Sequence, residues 1–164
     1  MDSESPKEMV STASEYRTRG RYALAAKAYM SAAYSYYAGV FQEEPNFVRF
    51  ADGMQYTIYA ILSARFAGET ARAETYGRHG LLLLQEGRDY EFETNPFGFR
   101  GGLTAYTGVS HEWAGHIRTA AGLDGNLEAY DEARDYFAEL TSTLSIGDCI
   151  GWEGEPEFHR SRRV

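Results

Sequence analysis

The stretch from Ser5 to Gly39 constrains this chain most, because its aromatics and alanines recur at helical spacing on either side of a single break. Ser5-Pro6-Lys7-Glu8 is a helix start: Ser5 can cap, Pro6 loses no needed donor at the first helical position, and Glu8 completes a capping box. The first helix is expected to run to about Arg19. Gly20, inside Arg19-Gly20-Arg21, accepts the backbone turn that a side chain resists. A second helix follows with Tyr22, Ala25, Ala26, Tyr29, Ala32, Ala33 and Tyr36 at three- and four-residue steps, and its alanines allow close approach of a partner helix. Gly39 and Pro45 punctuate its end.

The remainder repeats this scheme. Asn46 can cap a third helix, about Phe47 to Ala67, with Phe47, Phe50, Ala51, Met54, Ile58, Ile61 and Leu62 along one stripe. Gly68 stands where Gly20 stood. The fourth helix carries Ala73, Gly77 and Gly80 at small-residue positions; an interior glycine costs roughly 1 kcal/mol relative to alanine, so close backbone packing is the expected reason for them. A fifth helix, about Leu103 to Ala121, has Tyr106, Val109, Trp113, Ile117 and Ala120 on one side. After the turn from Gly122 to Gly125, Asn126 can cap a sixth, with Leu127, Tyr130, Ala133, Phe137, Leu140 and Leu144 regularly spaced. The expectation is an all-α single domain over 1–164, a stack of three antiparallel helical hairpins at about 6–38, 47–87 and 103–144 with an irregular tail over 146–164.

Met9, Thr12, Ala13 and Tyr16 on the first helix, then Gly20, Tyr22, Ala25, Tyr29 and Ala32 across the turn and second helix, resemble the tetratricopeptide (TPR) signature. Ala133-x3-Phe137 repeats Ala25-x3-Tyr29. The turn glycines are 48 and 54 residues apart, against about 34 in a regular TPR, so the resemblance is to a divergent member with longer hairpins or inserted loops. It implies that the first helix of each hairpin faces a groove that binds a segment of another protein. Carried over by position, the groove candidates are Arg17, Gln55, Tyr59, Arg65, Trp113 and His116. Arginine beside aromatics suits an acidic peptide or a C-terminal carboxylate. The lysine and asparagine pattern with which some members clamp a terminal carboxylate is absent, since Ser11, Ser14 and Leu62 occupy those positions. A homodimer through the tyrosine-rich first hairpin is compatible with this reading.

Between the second and third hairpins, Tyr90, Phe92, Phe97 and Phe99 sit among Asn95-Pro96 and Gly101-Gly102, which break helices. Such a loop either folds back over the core or presents its rings to a partner. In the tail, Ile150 and Trp152 are candidates for capping the last hairpin.

The signals for chemistry are sparse. His111-Glu112-x3-His116 resembles a zincin motif with one residue too many: five helical steps place the histidines about 140° apart, so they do not readily share one metal. Glu112 and His116, four apart, share a face. Arg72-x6-His79 resembles the short arginine–histidine motif of HEPN-type ribonucleases, themselves helical bundles, but Ala73 replaces the polar residue that usually follows the arginine. There is no glycine-rich phosphate loop and no cysteine nucleophile pattern, so no catalytic residue, metal or cofactor is expected. A HEPN-like ribonuclease or a histidine-dependent metal site is the enzymatic alternative to the adaptor reading.

Composition bounds the partners. A formal charge of −8 disfavours nucleic acid and anionic membranes, both of which need a cationic face; Arg160, Arg162 and Arg163 form the one basic cluster. Lys7 and Lys27 are the only lysines, so 14 of the 16 basic residues are arginine, a usage that resembles proteins of salt-adapted or GC-rich organisms. Cys149 stands alone, excluding an internal disulfide. Met1-Asp2-Ser3-Glu4 does not open a signal peptide, and the longest aliphatic run, Leu81 to Leu84, is far short of the roughly 20 residues of a membrane span. A soluble cytoplasmic protein is expected.

Overall fold

A computed structural model describes residues 5–42, 47–89 and 102–143. They form α1 (Pro6–Thr18), α2 (Tyr22–Gln42), α3 (Phe47–Phe66), α4 (Thr70–Asp89), α5 (Gly102–Ala121) and α6 (Asn126–Thr143), with no strand among the described residues. The aromatic loop with Tyr90, Phe92, Phe97 and Phe99, and the tail from 146, lie outside them.

The capping box forms as the sequence dictates. The Ser5 hydroxyl accepts from the Glu8 N–H at 3.3 Å, and the Glu8 carboxylate accepts from the Ser5 N–H at 2.7 Å. Those bonds, the one from the Ser5 backbone foremost, hold the Glu8 carboxyl below its usual range. Each hairpin then closes in one way. Gly20, Gly68 and Gly122 have φ of 70°, 76° and 71°. In each case the following N–H reaches back across the helix end: Arg21 to the Tyr16 carbonyl at 2.8 Å, Glu69 to Ala64 at 2.9 Å, Leu123 to Arg118 at 2.9 Å. This is the Schellman arrangement, which satisfies carbonyls otherwise orphaned and needs a left-handed residue.

Consecutive helices pack antiparallel. Tyr22 at the start of α2 meets Phe66 at the end of α3, and a Cβ placed on Gly53 near the start of α3 would strike the ring of Tyr37 near the end of α2. The glycines of α4 sit where close packing was expected. A methyl on Gly77 would meet Ala121 of α5, one on Gly87 the ring of Phe50, and one on Gly80 would lie 2.8 Å from Cγ2 of Thr57. Helix α3 is therefore central, flanked by α2 and α4 and touching α5. The main core centres on Phe50, Met54, Ile61, Leu84 and Ile117, all fully buried, and each such side chain contributes about 1.5–3 kcal/mol. A smaller cluster of Ala13, Ala25, Tyr29, Met30 and Ala60 joins α1 to α2 and α3.

The structure differs from the sequence reading in three places. Helix α2 continues through Gly39 to Gln42, because a single glycine costs a helix only about 1 kcal/mol and does not end it by itself. The buried tyrosine near its end is Tyr37, while Tyr36 is half-exposed. On α3, Leu62 leaves the core stripe and is 37% exposed: the buried face runs through Phe50, Met54, Thr57, Ile61 and Ala64, about 100° of rotation away. No helix among the described residues is long and apolar enough to cross a membrane.

Candidate functional site

Up-and-down packing brings the ends of α1 and α3 to the same end of the stack, and there three of the expected groove residues meet. The Arg17 guanidinium lies 5.9 Å from the centroid of the Tyr59 ring, and Gln55 Nε2 donates to Tyr59 Oη at 2.9 Å. A cation over an aromatic face at this distance is attracted by the ring quadrupole, at about 0.5–1 kcal/mol in an exposed setting. Tyr59 is in turn fixed edge-on against Tyr29 at 5.5 Å and Tyr56 at 6.2 Å. Tyr56 stacks on Tyr29 and Tyr36. Burial, reinforced by Tyr36 and Asp52, pushes the Tyr56 phenol up to about 12.

The same face of α3 continues beyond Tyr59. Gln55, Tyr59, Leu62 and Phe66 are separated by four, three and four residues, which aligns them along one stripe. Phe66 is 72% exposed, with the Tyr22 ring of α2 5.5 Å away. Arg17, Gln55 and Tyr59 are groove candidates from the sequence, whereas Leu62, Phe66 and Tyr22 emerge as surface only in the structure. The 4-3-4 step was the available signal, and it was masked because Leu62 also fits an apolar core pattern one position out of phase.

The other groove candidates do not join this surface. Arg65 turns toward α5 and donates from its guanidinium to the Ala120 carbonyl at 3.3 Å, where a cation meets the negative end of the helix. Trp113 packs against Phe50 at 6.1 Å on the rim of the main core. His116 faces α6, with Nδ1 2.9 Å from Tyr130 Oη.

The residues singled out for chemistry are dispersed. His116 Nε2 is 3.7 Å from Glu112 on the same face, whereas His111 turns to Glu132 of α6 at 2.6 Å and stacks on Tyr136. On α4, His79 Nδ1 pairs with Tyr34 Oη of α2 at 2.6 Å, and Arg72 is ion-paired with Glu69. Among the described residues no group of three or more His, Cys, Asp or Glu side chains is placed to hold a metal.

Comparisons with protein-family models, with curated protein sequences and with solved structures found no significant match. The α1–α3 surface is therefore read from its own chemistry: a guanidinium, an amide and a phenol beside an exposed apolar stripe.

Proposed function

We propose that the chain is a non-enzymatic interaction module that binds a segment of another protein along the α1–α3 face. One observation carries this reading: Arg17 of α1 converges with Gln55 and Tyr59 of α3, 38 and 42 residues further along the chain, beside the exposed Leu62 and Phe66. An apolar stripe edged by a guanidinium suits a segment that supplies an aliphatic or aromatic anchor and an adjacent carboxylate. A TPR-like groove binder is the family reading in keeping with that arrangement.

The test is affinity capture from the native extract with wild type and an Arg17→Glu/Phe66→Glu variant of verified helicity. Both side chains are exposed, so the substitutions spare the core. The expected result is one protein lost selectively, whose acidic segment, as a synthetic peptide, binds wild type at least tenfold more tightly than the variant, a difference of about 1.4 kcal/mol. Equal recovery on both baits removes the assignment.

The enzymatic alternative rests on α4, where Arg72 and His79 stand two turns apart on one side with His79 exposed. Ribonuclease activity of the purified protein, abolished by His79→Ala, is what that reading requires; its absence leaves the interaction module.

A further inference from the structure

A second concave feature lies between α5 and α6, away from the α1–α3 face. It is an open cleft of about 410 Å³ whose walls include the rings of Tyr130 and Phe137 and the methyls of Ala133 and Ala138. Glu112 projects into it from α5 and Arg134 borders it from α6.

The charges are unevenly satisfied. Arg134 is engaged by Asp131 at 2.7 Å and Asp135 at 3.3 Å, so that edge carries no net positive charge. Glu112 is the opposite case: its side chain is only 18% exposed, and among the described residues its ionic neighbour is His116, whose Nε2 at 3.7 Å lies within ion-pair reach but beyond hydrogen-bond range. His116 directs its other nitrogen to Tyr130. A carboxylate drawn partly out of water without an arginine or lysine partner retains its need for a cation. The adjoining Tyr130 and Phe137 side chains offer apolar contact, and the volume matches a small organic ligand.

From this combination we infer that the α5–α6 cleft is a binding site for a small organic ammonium: its charged head meets the Glu112 carboxylate and its apolar body lies against Tyr130 and Phe137. Inorganic cations fit poorly, because a single carboxylate does not complete their coordination and the remaining wall is apolar. The inference is independent of the α1–α3 reading, since the surfaces share no residue.

The probe is 2-phenylethylammonium, with 2-phenylethanol as its uncharged counterpart, followed by the alanine methyl resonances of Ala133 and Ala138 in isotopically labelled full-length protein. The expected result is saturable shifts of those methyls with the ammonium, at least tenfold weaker binding of the alcohol, and a comparable loss in Glu112→Gln. A blocked lysine tested in parallel identifies the source: tighter binding than the arylamine assigns the cation to a protein side chain, weaker binding to a free amine. Equal binding of ammonium and alcohol, full affinity in Glu112→Gln, or no saturation by about 10 mM overturns the inference. The alcohol comparison needs only wild-type protein, so the answer does not depend on the variant folding.

Discussion

The phenol oxygen of Tyr37 lies 3.0 Å from the hydroxyl of Thr57, buried in the contact between α2 and α3. Thr57 commits its one hydrogen to the Gly53 carbonyl at 2.9 Å, so Tyr37 is the donor in the pair. Thr57→Val preserves the shape and removes the acceptor, leaving a buried hydroxyl unpaired. The expected cost is about 1–3 kcal/mol, read as a lower urea midpoint. Tyr37→Phe leaves Thr57 its bond to Gly53 and is expected to cost less, about 0.5–1.5 kcal/mol.

Two glycine substitutions should have opposite signs. A methyl at Gly80 meets Thr57 Cγ2 at 2.8 Å and Ile117 Cδ1 at 3.3 Å, groups held inside the core. Gly80→Ala is expected to destabilise by about 1–3 kcal/mol despite the better helix former. At Gly39 the obstacle is the Arg49 guanidinium at 2.9 Å, the far end of a long, exposed side chain rather than backbone or core. Gly39→Ala is expected to stabilise by up to about 1 kcal/mol, and thermal unfolding of the two variants checks the pair of signs.

Ser110 is fully buried on α5, and its hydroxyl has no hydrogen-bond partner among the described residues. An unsatisfied buried hydroxyl costs about 1–3 kcal/mol of desolvation, so Ser110→Ala is expected to be neutral or to stabilise by about 1 kcal/mol, with the loss of one small atom offsetting part of the gain. A clear fall in the urea midpoint would contradict this.

The tyrosine cluster predicts a specific alkaline limit. Tyr56 is shifted up to about 12, chiefly by burial, and Tyr34, Tyr36 and Tyr76 are raised for the same leading reason. Because the folded state favours the neutral phenol, this contribution is full below the unfolded value near pH 10. It is lost as pH rises through the folded value. Urea midpoints measured from about pH 8 to 11.5 should therefore be flat at first and then decline, and Tyr56→Phe should make the decline shallower. Phenolate absorbance should show a late-titrating population that appears early on unfolding.

Helix existence was legible in the chain because local signals agreed with one another. Ser5-Pro6-Lys7-Glu8 specifies a start, Gly20, Gly68 and Gly122 specify stops, and the apolar steps between them specify helices, all through interactions spanning a few residues. The small residues of α4 also announced close packing, since a glycine inside a helix needs a compensating contact. What lay beyond local signals was the rotation of each helix about its axis. Whether Tyr36 or Tyr37, Ile61 or Leu62, faces inward is set by the partner helix, and adjacent residues of similar hydrophobicity do not distinguish the two.

The candidate surface divides in the same way. Arg17, Gln55 and Tyr59 were identifiable by position, but tertiary packing alone decided that they meet, that Arg65 serves the end of α5, and that His116 belongs to α6. The sequence determined the six helices and three hairpin turns of the described residues because short-range hydrogen bonding and backbone sterics suffice for those. Side-chain convergence across helices depends on crossing angles and axial rotation, which arise only when the complete set of apolar faces is buried together.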